Sequence, residues 1–143
     1  MNATIGMVIA FDSYLYMNDI QVRNAAEMGV MITNCTAKIS NSTIEKNNWG
    51  ISATRGSSLE IQNSTITGNN IGMVITISEC IIRYCNILGN KDFGILTVNS
   101  TVDARYNYWG SMFGPSYLFK FRGDLIWVFC DIKHFPWLLF PAN

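Results

Sequence analysis

Five glycines, each followed by an apolar residue, stand at Gly6, Gly29, Gly50, Gly72 and Gly94, spaced by 23, 21, 22 and 22 residues. Quasi-regular spacing on this scale is the mark of a repeat architecture. Here it constrains the fold more than any feature of composition. The wording repeats as well: "NSTIEKNNWGIS" at 41–52 returns as "NSTITGNNIGMV" at 63–74.

Within each unit, apolar residues fall on alternate positions, the period of a β-strand. One and three places after each glycine come Met7/Ile9, Val30/Ile32, Ile51/Ala53, Met73/Ile75 and Ile95/Thr97. A second series reads Leu15/Met17, Ala37/Ile39, Leu59/Ile61, Cys80/Ile82 and Val102/Ala104, and single slots follow at Val22, Ile44, Ile66, Ile87 and Trp109. Turns rich in Asn, Ser and Gly separate the three groups. No stretch shows helical periodicity.

Three short strands per ~22 residues are too few for a sandwich but suit one coil of a solenoid, each coil stacked ~4.8 Å above the last. The expected fold is all-β: a right-handed parallel β-helix of about five coils, since strand-to-parallel-strand crossovers are almost always right-handed. The aligned apolar positions become interior ladders. Asn47, Asn69 and Asn90 also align, as a stacked amide ladder at a corner where Asn tolerates left-handed backbone. Repeats are expected over residues 1–110 and a C-terminal capping segment over 111–143.

Ten basic and ten acidic residues cancel, and only 14% of the chain is charged. Lys and Arg form no cluster, so nucleic acid and anionic membranes are poor partners. The run "LIWVFC" at 125–130 is far shorter than the ~20 residues of a spanning helix. No signal peptide is visible at the N-terminus. The first coil begins at a repeat glycine with no covering segment. A longer chain upstream, or self-association of that uncapped coil, is therefore expected.

Two stretches carry a family resemblance: the "NSTI…NN-x-G" coils, and "ARYNYWGSMFGPS" at 104–116, followed by Pro136-Trp137-Leu138. With them the chain resembles the parallel β-helix repeat superfamily, which includes pectin-degrading enzymes, tailspike-like proteins and periplasmic copper-accessory proteins. The likeness is nearest to β-helix domains of secreted or cell-surface archaeal proteins, whose last coil tends to end in a segment like Asn107 to Ser116. The resemblance implies architecture more than activity, because the fold hosts many functions.

From Tyr106 onward the chain holds 12 of its 18 aromatic residues. A solenoid needs a terminal cap over its last open ladder, and Trp109 and Trp137 are the expected cap residues. An aromatic platform for sugar rings would draw on the same side chains.

For catalysis, the outward row of the second strand reads Tyr16, Lys38, Glu60, Ile81, Asp103. Glu60 and Asp103 fall two coils apart, ~9.6 Å, at the edge of the ~6.5–9.5 Å carboxyl separation of inverting glycosidases. Lys38 beside Glu60 reads as a surface ion pair. No catalytic residue is assigned.

For metals, Met7, Met73, Met17 and Cys80 are expected in core ladders, and His134 is the sole histidine. No metal or cofactor site is expected. Cys35, Cys80 and Cys85 are too far apart to pair, Cys80 and Cys85 lying on different strands of one coil.

Sequons at Asn2, Asn34, Asn41, Asn63 and Asn99 are possible glycosylation sites at turns. An Asn/Ser/Thr-rich solenoid also generates such triplets for its own reasons.

The function expected is a non-catalytic extracellular or cell-surface module, structural or binding a polysaccharide or cell-surface glycan. The alternatives are a fragment of a polysaccharide lyase or hydrolase and a copper-accessory protein.

Overall fold

The computed structural model describes residues 3–116, 123–129 and 132–142, and those residues form strands and turns with no helix. The strands run in triplets. The first is β1 (Ala3–Ile5), β2 (Val8–Phe11) and β3 (Tyr14–Asn18), and the second is β4 (Ile20–Arg23), β5 (Met28–Thr33) and β6 (Thr36–Ser40). The third and fourth are β7 (Thr43–Glu45), β8 (Trp49–Thr54), β9 (Ser58–Gln62), then β10 (Thr65–Thr67), β11 (Ile71–Thr76), β12 (Glu79–Arg83). After β13 (Asn86–Leu88), β14 (Phe93–Val98) and β15 (Thr101–Asp103), the tail adds β16 (Ile126–Phe129) and β17 (Ile132–Lys133).

Every strand pairs in parallel with its counterpart in the next triplet, giving three sheets. Sheet A is β1-β4-β7-β10-β13, sheet B β2-β5-β8-β11-β14-β16, and sheet C β3-β6-β9-β12-β15-β17. From β1 to β13 the chain completes about four turns. The five units of the glycine spacing thus resolve into four full turns and a last rung.

The three apolar series become the core. Val30, Ile32, Ile51, Ala53, Met73, Ile75, Ile95 and Thr97 are buried in sheet B, and Met17, Ala37, Ile39, Leu59, Ile61, Cys80, Ile82, Val102 and Ala104 in or beside sheet C. Val22, Ile44, Ile66 and Ile87 fill the slot of sheet A.

The first rung departs from the expectation. Register pairs Val8 with Val30 and Ala10 with Ile32, so Met7 and Ile9 face outward, 52% and 47% exposed. Sheet A reaches sheet B in three residues here (Ile5 to Val8) but in eight between Val22 and Val30. That short corner shifts the phase by one residue, and a one-residue shift turns every side chain to the other face. Gly6 is therefore not the ladder glycine. A Cβ there would meet nothing within 4 Å, whereas one on Gly29 would strike the Asn47 amide at 2.7 Å.

Each turn has three corners, and most of the inner ones share one pattern: a left-handed residue followed by a buried residue that accepts a hydrogen bond from the preceding rung. After sheet B the left-handed residues are Asp12, Asn34, Arg55-Gly56, Ile77 and Asn99; after sheet C they are Asp19, Asn41, Asn63, Tyr84 and Tyr106. After sheet A they are Asn24, Lys46, Gly68, Gly89 and Gly110.

The residues that follow stack. Cys35 N–H donates to Ser57 Oγ, Ser57 to Ser78 and Ser78 to Ser100, at 3.2–3.3 Å. At the next corner Ile20 N–H donates to Ser42 Oγ, Ser42 to Ser64, and Cys85 to Asn107 Oδ1.

The third stack is the asparagine ladder. Asn47 Nδ2 donates to Asn69 Oδ1 at 3.1 Å, and Asn69 Nδ2 to Asn90 Oδ1 at 3.0 Å. Their backbone N–H groups donate to the same oxygens. These asparagines are not left-handed themselves; Lys46, Gly68 and Gly89 before them take that conformation. The ladder ends on buried Asp124, whose Oδ2 accepts from Asn90 Nδ2 at 2.6 Å and from Asn90 N–H.

The amides also dictate the glycine column. A Cβ on Gly72 would lie 2.5 Å from the Gly94 carbonyl and 3.1 Å from the Asn90 amide; one on Gly50 would collide with the Gly72 carbonyl. "NN-x-G" is one packing unit.

Candidate functional site

The outer face of sheet C carries the row read from the sequence. Tyr16, Lys38, Glu60, Ile81 and Asp103 are consecutive partners, with Lys133 beyond them. A groove of about 440 Å³ runs along it, bordered by Glu60, Glu79, Ile81, Asp103 and Lys133.

Two of its three carboxylates, Glu60 and Asp103, are engaged. Lys38 Nζ lies 3.4 Å from Glu60 Oε2, and Gln62 Nε2 donates to Glu60 Oε1 at 2.7 Å. Asp103 accepts from Arg105 Nε at 2.9 Å and Nη2 at 2.8 Å, and also from Arg83. The Arg105 hydrogen bonds, helped by Arg83, hold the Asp103 carboxyl well below the usual range, while Asp103 raises Arg105. A general acid in glycoside cleavage needs the opposite shift.

Cys35, Cys80 and Cys85 are buried and free. Cys85 sits at the corner between β12 and β13, not on a strand. Burial raises the Cys80 thiol strongly, with Cys85 beside it adding to the effect, and burial pushes Cys85 up to about 12. Cys130 lies outside the described residues. Met73 and Met17 are core residues as expected, but Met7 is exposed. No group of three or more His, Cys, Asp or Glu residues that could hold a metal ion is present among the described residues. Nor is any described helix long and apolar enough to cross a membrane.

The sequons prove to be corner units. Asn34, Asn41, Asn63 and Asn99 are exposed with φ of 48–50°. The residues after them (Cys35, Ser42, Ser64, Ser100) are buried, and Thr36, Thr43, Thr65 and Thr101 open the next strands. Asn34 Nδ2 donates to Asp12 and Asn41 Nδ2 to Asn18. Asn63 has no side-chain hydrogen bond among the described residues. Asn2 lies outside them.

Above Asn63 the same corner column continues as Tyr84 and Tyr106, whose rings stack with centroids 6.0 Å apart at 23°. A strap of the tail runs back along them. Tyr106 N–H donates to the Pro136 carbonyl, Leu138 N–H to the Asn107 carbonyl, and the Asn86 amide pairs with both backbone groups of Ala142 at 2.7 and 2.9 Å. Between Asn63, Tyr84 and strap residues 137–142 lies an open pocket of about 660 Å³.

Trp109 is fully buried, and the Asn86–Tyr108 bridge sets it above Ile87 in the slot. Trp137 is half-buried against the core. It packs on Gly114, stacks with His134 at 6.1 Å and 19°, and donates Nε1–H to the Met112 carbonyl at 3.2 Å. Burial lowers the pKa of His134.

Besides the serine stacks, two buried acceptors near the tail were missed from sequence. Asn107 stands 22 residues after Cys85, a spacing that could have marked it. Asp124 stands 34 residues after Asn90, because the tail intervenes, so no periodicity reveals it.

Three parallel sheets wound into stacked rungs define a β-solenoid. The profile described as "Right handed beta helix region" matches residues 2–110, and the chain belongs to that family. Comparison with curated proteins and with solved structures finds no match.

Proposed function

We propose that this protein is a non-catalytic β-helix module that binds carbohydrate at a cell surface or in the extracellular space. The observation that carries the reading is the state of the carboxylates on sheet C. Glu60 is paired with Lys38, Asp103 is held by two guanidinium groups, and Ile81 separates them. A hydrolase or lyase needs a pair of acids that can exchange protons, and of the three carboxylates in the groove only Glu79 stands outside an ion pair among the described residues. What the molecule offers instead is rigid spacing: neutral amides and hydroxyls repeat along its corners, as in the Asn70–Asn48 bond of 2.8 Å, with exposed tyrosines among them. Exposed Asn34, Asn41 and Asn99 would then serve as glycan acceptors in a host that glycosylates, whereas Asn63 faces the pocket beside Tyr84. The test combines a glycan array with a reducing-sugar assay on the bound species. Binding without release of reducing ends supports the module, and turnover would make it an enzyme.

A further inference from the structure

The pocket between Asn63, Tyr84 and the tail strap sets an aromatic ring and an amide beside apolar surface. This inference rests on the carbohydrate-binding reading and names its site and sugar class.

The corner column after sheet C is filled by Asp19, Asn41 and Asn63, then by Tyr84 and Tyr106. Left-handed backbone suits Asn and Asp, and a bulky residue there is an outlier. The two tyrosines have φ of 53° and 62°, and Tyr84 is 51% exposed. Tyrosine thus stands where the fold itself would favour asparagine, and its ring gains little burial in return. The ring stacks on Tyr106 and still leaves half its surface open beside the pocket, and a bulky residue kept in a costly backbone conformation there points to a binding role.

The surroundings specify the ligand. Asn63 presents an amide, free of protein partners among the described residues, one rung below the Tyr84 ring. The strap supplies apolar surface from Leu138, Phe140 and Pro141. An aromatic face beside an amide matches a sugar ring, whose C–H face stacks while its hydroxyls hydrogen-bond. The pocket lining contains no charged side chain. By contrast, the sheet C groove is lined by charged Glu60, Glu79, Asp103 and Lys133. We infer that the Asn63–Tyr84–strap pocket binds a neutral hexose or pentose unit of a polysaccharide.

Tyr84→Asn is the informative variant, because asparagine already occupies that corner in the two rungs below and the fold should be kept. Unglycosylated protein and Tyr84→Asn would be titrated calorimetrically with short neutral gluco-, xylo- and manno-oligosaccharides and with oligogalacturonate, alongside thermal melts. The expected result is binding of at least one neutral series by the wild type. Tyr84→Asn should weaken it about tenfold or more, at an equal or higher melting temperature. Neutral-sugar binding that survives Tyr84→Asn, or binding of the uronate alone, overturns this site while leaving the module reading intact. If no saccharide of either kind binds, both fail.

Discussion

A side chain other than Gly, Asn or Asp in the left-handed region costs about 1–2 kcal/mol. This molecule takes that conformation at every corner from β2 to β15. Asn63 at φ 49° is therefore a folding residue whether or not it carries a sugar. Asn63→Ala should lose about 1 kcal/mol, while Asn63→Gly should stay within a few tenths; equal losses in a urea titration would refute the corner role. Ile77, β-branched at φ 50° and 57% exposed, is the converse case. Ile77→Asn is expected to gain up to about 1 kcal/mol, seen as a higher melting temperature. Asp103 supplies a pH-dependent residue effect. Its folded pKa lies below the ordinary 3.8 because Arg105 and Arg83 bind the carboxylate. Its stabilisation is therefore complete above that value and declines as the pH falls below about 4. Melting temperatures recorded from about pH 6 to pH 2 should fall less steeply for Asp103→Asn than for the wild type, and parallel curves would contradict the pairing.

At the scale of elements, strands were legible in the sequence because alternation and a near-constant period coincide. Ile44, Ile66 and Ile87 announce one ladder; Leu59, Cys80 and Val102 announce another. The corners were only half legible. Stacked asparagines stood out, but the serine stacks are as regular and went unseen, since serine in a turn carries no apolar signal. Phase failed at β2, where an unusually short corner hid a one-residue shift behind a spacing of 23. Of the candidate site, the sheet C row was readable from register. The pocket was not, because a strap 56 residues away in sequence closes it on Asn86. The asparagine ladder shows why corners matter to strands. Asn69 satisfies the Asn47 N–H and the Ile44 carbonyl and bonds to both neighbouring amides. Asn69→Leu would orphan several buried groups at about 1–3 kcal/mol each. Chemical denaturation should show a loss of several kcal/mol, well beyond that of Asn70→Ala at the exposed amide next door.

The whole molecule is a stack in which each rung touches only its neighbours, so its ends decide its behaviour. At the β1–β2–β3 end each strand has a single partner among the described residues, and on the outward face at β2 Met7, Ile9 and Phe11 are about half exposed. A second copy is expected to dock on that apolar face. Ile9→Lys should reduce concentration-dependent association in sedimentation, and an unchanged profile would locate the contact elsewhere. At the other end the slot ladder finishes on Trp109, whose indole fills the position above Ile87 and whose carbonyl accepts the Asp124 N–H at 2.8 Å. We propose that this residue closes the stack. Trp109→Ala would open a cavity costing about 3–5 kcal/mol. It would also loosen Asp124, the acceptor on which the asparagine ladder terminates. Because rungs are coupled only to neighbours, that loss should be directional. Hydrogen exchange in Trp109→Ala should quicken first in β13, β14 and β15 and reach β4, β5 and β6 last. Uniform acceleration along the chain would mean that the solenoid unfolds as one unit and that Trp109 is an ordinary core residue.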